Sequence, residues 1–267
     1  LGARRKRMER PHNVPMVLLG GGILWFGWFG FNGSCALGAT FLTQFVILNT
    51  LLAGSAGMIG FTIIERIREG HVTSLGVITG AIAGLVGITP SANAVNSIGA
   101  LCVGLLAAGV VAFLMSIKSR FKVDDSLDAF IVHGIGGIVG TFCIVLFAAS
   151  AAPAGLTGIL FGGDFGLLWR ELAGIVITCT FSFVMTWLIA KAIDKTIGLR
   201  VDAETETLGL DSTIHAETAY EIPAAGVGHA PGGFSGLHPE RAAENLEHEI
   251  PTATTTQPAG ATTATSS

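Results

Sequence analysis

One histidine in this chain stands where water should not reach it. His133 lies in the run Asp128-Ala129-Phe130-Ile131-Val132-His133-Gly134-Ile135-Gly136-Gly137, within an apolar stretch, whereas the other six histidines fall in loops or tails. An ionisable group at membrane depth is costly, and its presence there marks a functional site. As a metal ligand His133 lacks company, because no second His, Cys or carboxylate stands at i+3 or i+4. As a catalytic base it would need a nucleophile or a carbonyl-binding motif nearby, and none is visible. As a pore-lining group it needs only a polar permeant. A neutral imidazole offers one donating and one accepting nitrogen. That suits a small neutral hydrogen-bonding molecule better than a cation. A helix-to-helix hydrogen bond with no transport role remains the open alternative.

Three carboxylates precede the histidine: Asp124, Asp125 and Asp128. Carboxylates at a helix N-terminus meet the positive end of the dipole, so capping accounts for them without function. Asp128 is the deepest, and a supporting role beside His133 stays open for it. A second cluster, Trp25-Phe26-Gly27-Trp28-Phe29-Gly30-Phe31-Asn32-Gly33, is aromatic. Trp25 reads as an interfacial belt residue. Trp28 and Phe31, three apart on a helix, share a face. An inward aromatic pair attracts a cation by about 1–2 kcal/mol when partly desolvated, and also obstructs water. The four cysteines (Cys35, Cys102, Cys143, Cys179) are dispersed among apolar residues with no CxxC pair, and they imply neither a disulfide framework nor a metal site.

The elements that must position these residues are membrane helices. The chain is 50% hydrophobic and 13% charged, with mean hydropathy +0.64, the profile of an all-α polytopic bundle and not of a soluble domain. Six apolar stretches approach the ~20 residues needed to cross ~30 Å of hydrocarbon, at 14–33, 41–64, 74–89, 98–117, 127–149 and 167–193. The third is short if it stops at Pro90, which would demand tilt or a re-entrant end. Basic residues sort to one side: Arg4 to Arg10, Arg66 and Arg68, Lys118 to Lys122, then Lys191, Lys195 and Arg200, with Arg170 alone near the other. By the positive-inside rule both ends of the chain face the cytoplasm. Gly76, Gly80 and Gly84, and then Gly136 and Gly140, recur every four residues. Such stripes read as faces of close helix contact. No signal-peptide pattern opens the chain, which starts at Leu1 without a methionine. It therefore reads as a fragment lacking an N-terminal part. The organisation expected is a basic segment at 1–12, a transmembrane region at 13–200 and a polar tail at 201–267, largely disordered after about residue 220.

Several runs together resemble the C-terminal half of the ammonium transporter (Amt) family. They are His12-Asn13-Val14-Pro15-Met16, Gly27-Trp28-Phe29-Gly30-Phe31-Asn32, Gly80-Ala81-Ile82-Ala83-Gly84-Leu85-Val86-Gly87-Ile88-Thr89-Pro90, Asp124-Asp125 through Gly137, and the tail from Gly198-Leu199-Arg200 to Tyr220. The resemblance implies a trimeric protein of eleven helices built from two inverted repeats, of which this chain would hold helices six to eleven. It implies ammonium taken up at an outer aromatic site, deprotonated near a phenylalanine gate, and passed as ammonia along paired histidines. His133 resembles the second of those histidines, Phe31 a gate phenylalanine, Trp28 a pore-lining tryptophan and Thr89 a threonine of the outer mouth.

One departure concerns recruitment. The family often places a serine four residues beyond the gate, where this chain has Cys35, a weak acceptor, beside Ser34 as a substitute. The partner histidine of the first repeat is absent from the chain. Asp211, Thr213 and Tyr220 fall in the tail segment that carries regulation in the family, and Thr213 also reads as a helix cap. The partners implied are ammonium or ammonia, lipid, two further copies of the chain and a PII-type signal protein at the cytoplasmic face. No cofactor, nucleic acid or enzymatic activity is implied. A Rhesus-type ammonia channel and an ammonium sensor are the alternatives.

Overall fold

The computed structural model describes residues 11–118, 125 and 127–217. The readings made for the basic segment 1–10, for Arg120, Lys122 and Asp124, and for the tail beyond 217 with Tyr220, lie outside these residues.

Each helix starts where the sequence supplies a cap. Helix α1 (Val14–Gly33) begins at Asn13, whose side chain accepts from the Met16 N–H, and carries proline in its first turn. A short 3₁₀ turn (Ser34–Ala36) closes it, ending at Leu37 in the left-handed region. Helix α2 (Phe41–Glu69) opens with a Thr40/Thr43 capping box and stops at Gly70, whose φ of 79° suits glycine. Helix α3 (Ser74–Ile88) is capped by the Thr73 hydroxyl, and α4 (Ser97–Ile117) by the Asn96 amide. A π-helical segment (Phe130–Ile135) leads into α5 (Gly136–Phe147), and α6 spans Gly166–Thr196.

The chain is an all-α, multi-pass membrane bundle. Among the described residues, five helices are long and apolar enough to cross a bilayer. The third expected span falls short, because α3 has 15 residues, roughly 22 Å at 1.5 Å per residue. The chain then turns through Thr89–Asn96 inside the bundle, where Ser91, Ala92, Ala94 and Val95 are all buried. Non-helical backbone at this depth survives only if its polar groups find partners within the protein. Asn49 of α2, itself fully buried, provides two of them: its amide donates to the carbonyls of Ala92 and Val95, each at 2.9 Å.

The glycine stripes are packing faces. A Cβ at Gly84 or Gly104 would strike the backbone of Ala53, one at Gly57 the backbone of Gly80 and Gly84, and one at Gly140 the Gly87 carbonyl. Helix α2 is thereby gripped between α3 and α4 at backbone contact, the mode expected where lipid removes the usual hydrophobic drive between helices. The core is correspondingly small-residue: Ala53, Val95, Ala100, Val103 and Ile88 in one cluster, and Ala83, Ala108, Val111, Ile131 and Val132 in a second. Trp25 is part of this packing and not a belt residue, since its indole lies against Gly54 of α2. Helices α1 and α6 contrast with α2–α4: Leu167 is the one buried residue of α6.

The contact pattern divides the chain into Leu1–Ala192 and Ile193–Ser267. In the second unit, Asp202 caps a short helix α7 (Ala203–Leu208), accepting from the Glu204 and Thr205 N–H groups and the Thr205 hydroxyl. The hydrogen bonds from Thr205 hold the Asp202 carboxyl below its ordinary range. Arg200 pairs with Glu206 at 3.4 Å.

Candidate functional site

Trp28 and Phe31 share one face of α1 as their spacing requires, with ring centroids 5.2 Å apart and planes at 45°. The imidazole of His133 lies next along, 6.4 Å from the Trp28 ring. The indole N–H donates to the Thr89 hydroxyl at 3.0 Å, and that hydroxyl donates in turn to the Leu85 carbonyl at 2.8 Å. Three residues singled out by type and spacing, and Thr89, which the resemblance added, are therefore one contiguous surface on three separate elements. They line a groove of about 670 Å³, whose far wall is Gly174, Thr178, Cys179 and Ser182 of α6. Gly174, Thr178 and Ser182 recur every four residues, so they share the face of α6 that lines the groove.

The side chain of His133 is exposed to this groove, not enclosed as its apolar sequence context implied. The groove is bounded on two sides by this chain and is open between them, and Phe31 is likewise exposed.

A local feature that the sequence reading missed aims the imidazole. The helix carrying His133 begins as a π-helix, whose wider turn rotates side chains away from the register of an α-helix. Asp125 caps it, accepting from the N–H groups of Phe130 and Ile131 at 3.2 and 3.3 Å. Asp128 is no cap: it adopts φ 56° and accepts from Lys118 Nζ at 2.6 Å. Lys118 also donates to the Asp125 carbonyl, so one ammonium ties α4 to the turn that launches His133. The glycine-rich run after the histidine was the available signal for irregular backbone.

A second cavity of about 230 Å³ sits at the Cys35 end of α1, lined among others by Asn32, Cys35, Thr89 and Asn93. Thr89 lines both spaces, so the Trp28–Thr89 bond belongs to the wall they share. Ser34 does not line either one; its hydroxyl turns back to the Phe31 carbonyl at 3.2 Å. Asn32 is 3% exposed and donates to Thr50, a buried polar pair the sequence reading also missed. In the tail, Asp211 and Thr213 are exposed, with the Thr213 hydroxyl donating to the Gly209 carbonyl. Among the described residues, no group of three His, Cys, Asp or Glu residues could hold a metal ion.

A model of the Ammonium Transporter Family matches residues 1–220. An ammonium transporter of Corynebacterium glutamicum is 47% identical over 230 residues, which cover 86% of this chain and 51% of that one. The fold resembles Mep2 of Candida albicans, with a TM-score of 0.67 at 31% identity over 74% of this chain and 45% of that one. It also resembles a sensor Amt protein, with a TM-score of 0.68 at 33% identity over 76% and 49%. The chain spans about half the length of the curated relatives it matches.

Proposed function

The chain belongs to the Ammonium Transporter Family, a family of transporters and not of enzymes, and on that premise we propose that it is the C-terminal half of an ammonium transporter of the cytoplasmic membrane. Ammonium collects at an outer site near Cys35, Thr89 and Phe31, gives its proton to water on the outer side of the Trp28–Phe31 pair, and crosses as ammonia past His133. The single observation that carries this reading is the continuous surface formed by Phe31, Trp28, Thr89 and His133 along one groove.

The energetics favour that order of events. Moving an ammonium-sized ion from water into a low-dielectric interior costs on the order of 20 kcal/mol in the idealised Born limit. Ammonia loses only hydrogen bonds, roughly 1–3 kcal/mol each by protein mutational data, and a neutral imidazole restores them. Potassium has no proton to shed and is rejected by the same passage. The groove is open along one side in this chain, which supports a first repeat as its missing wall, supplying the partner histidine and second gate. The transmembrane part is 13–200, with both of its ends cytoplasmic, and the functional unit is a trimer. The tail from 201 is regulatory through Asp211, Thr213 and Tyr220, and a PII-type protein is the candidate partner.

The test is His133→Ala in the full-length protein. Methylammonium uptake by cells should fall to background while the trimer still forms. Unchanged uptake with unchanged selectivity over potassium would overturn the pore assignment. The likeness to a sensor Amt protein favours one second reading. Ammonium-dependent signalling by a wild type that takes up no methylammonium would establish it.

A further inference from the structure

The hydrogen-bond inventory of the smaller cavity leaves the amide oxygens of Asn32 and Asn93 without a hydrogen bond among the described residues, and of the two only Asn93 is exposed. Four polar side chains line the space: Asn32, Cys35, Thr89 and Asn93. Thr89 spends its hydroxyl proton on the Leu85 carbonyl and accepts from the Trp28 indole. Asn32 is buried and tied to Thr50 through its amide nitrogen. The Cys35 thiol turns toward the Phe31 carbonyl at 3.8 Å, and a thiol sulfur is a weak acceptor in any case. The Asn93 side chain is exposed and forms no hydrogen bond among the described residues.

The backbone beneath Asn93, by contrast, is fixed. Its own carbonyl accepts from the Ala154 N–H at 2.9 Å, and its neighbour Ala94 accepts from the Ala149 N–H at 2.9 Å. Ala92 and Val95, on either side, are buried and held by Asn49. An uncommitted amide on a rigid turn loses little freedom when it binds a ligand.

We propose that Asn93, through its amide oxygen, is the acceptor that draws an ammonium-type cation into the Cys35 cavity, a task for which Cys35 itself is too weak. This inference rests on the transport reading and names a specificity-determining residue within it. A single carbonyl oxygen accepts an N–H from an alkylammonium in a directional bond, whereas potassium is held where several carbonyl oxygens together replace its hydration shell. Because a hydroxyl accepts better than a thiol, Cys35→Ser should relieve the dependence on Asn93.

The experiment measures methylammonium uptake against concentration in the full-length protein, with Asn93→Ala, Cys35→Ser and the double variant. Asn93→Ala should raise the half-saturating concentration about fivefold to tenfold, the worth of one net hydrogen bond at a site where water can replace the lost partner, with the maximal rate held within about twofold. In the Cys35→Ser background the same substitution should shift it by about twofold at most. An unchanged half-saturation, or equal shifts in both backgrounds, would overturn the proposal. Thermal unfolding of the purified proteins in methylammonium chloride against potassium chloride gives a readout independent of transport. Wild type should gain stability from methylammonium and Asn93→Ala should lose that gain, both remaining trimeric on native gels. If wild type takes up no methylammonium, the transport reading fails alone. The binding shift then decides for Asn93, and its absence in wild type would overturn the assignment.

Discussion

The Trp28–Thr89 hydrogen bond does more than close a pair of valences. It fixes the indole between the Phe31 and His133 rings, and it joins α1 to the end of α3 across the wall of both cavities. Removing the acceptor strands a half-buried N–H, at a cost of about 1–3 kcal/mol. Thr89→Val, which keeps the shape and discards the hydroxyl, should therefore lower the thermal midpoint of the purified full-length protein and loosen discrimination against potassium. Thr89→Ser should do neither. Equal behaviour of the two variants would show that the hydroxyl is idle. At this scale much was legible in advance. His133 stood out by the cost of its setting, and Trp28 and Phe31 by their spacing. The pairing of Trp28 with Thr89 was not legible, because 61 residues separate them and only the fold brings them together. Asp128 stayed open for a related reason: its sequence position admits either a cap or a role beside His133, and the left-handed backbone there turns the carboxylate to Lys118.

At the scale of elements, glycine position decides how closely helices approach. Helix α4 offers a matched pair. A Cβ on Gly104 would press into the backbone of Ala53, which has no rotamer to yield, whereas one on Gly109 would meet only Ile64 and Gly60 at 3.8 and 3.9 Å. Gly104→Ala should cost about 1–3 kcal/mol through overpacking and separate α4 from α2. Gly109→Ala should be neutral or stabilising by up to about 1 kcal/mol, since alanine is the better helix former. Thermal unfolding in detergent separates the two, and a ranking in the opposite order would reject this account of the α2–α4 contact. The four-residue glycine period already identified such faces, and the apolar stretches placed the helix ends closely, except that α2 runs on past Ile64 to Glu69. One irregular element escaped that reasoning, because hydropathy has no resolution for a π-turn at His133. The short third span was legible from Pro90, but not what holds the non-helical backbone after it: the Asn49 amide that bonds the Ala92 carbonyl sits 43 residues away.

For the whole molecule, the distribution of burial separates what this chain completes from what it leaves open. Helices α2, α3 and α4 form a finished interior, while nothing in the 18-residue core of the α6 span is buried and α1 is scarcely more so. In a bilayer an apolar surface is not itself a demand for a partner, because lipid satisfies it. The groove is different: it carries His133, Thr178 and Ser182, and hydroxyls and an imidazole facing hydrocarbon would lack partners. Either another protein surface closes over them or water fills the space. The cysteines report which. Cys179 lines the groove and is exposed, whereas Cys143 is buried in the core. In this chain alone, Cys179 should react with a small maleimide in detergent while Cys143 does so only after unfolding. In the full-length protein Cys179 should become slow, at least about tenfold below its rate in the isolated chain, because reaction needs access as well as thiolate. Mass spectrometry of the labelled peptides gives both rates in one experiment. If Cys179 reacts as fast in the full-length protein, the groove beside His133 is an open face and not a closed path, and a dry conduit for ammonia would have to lie elsewhere.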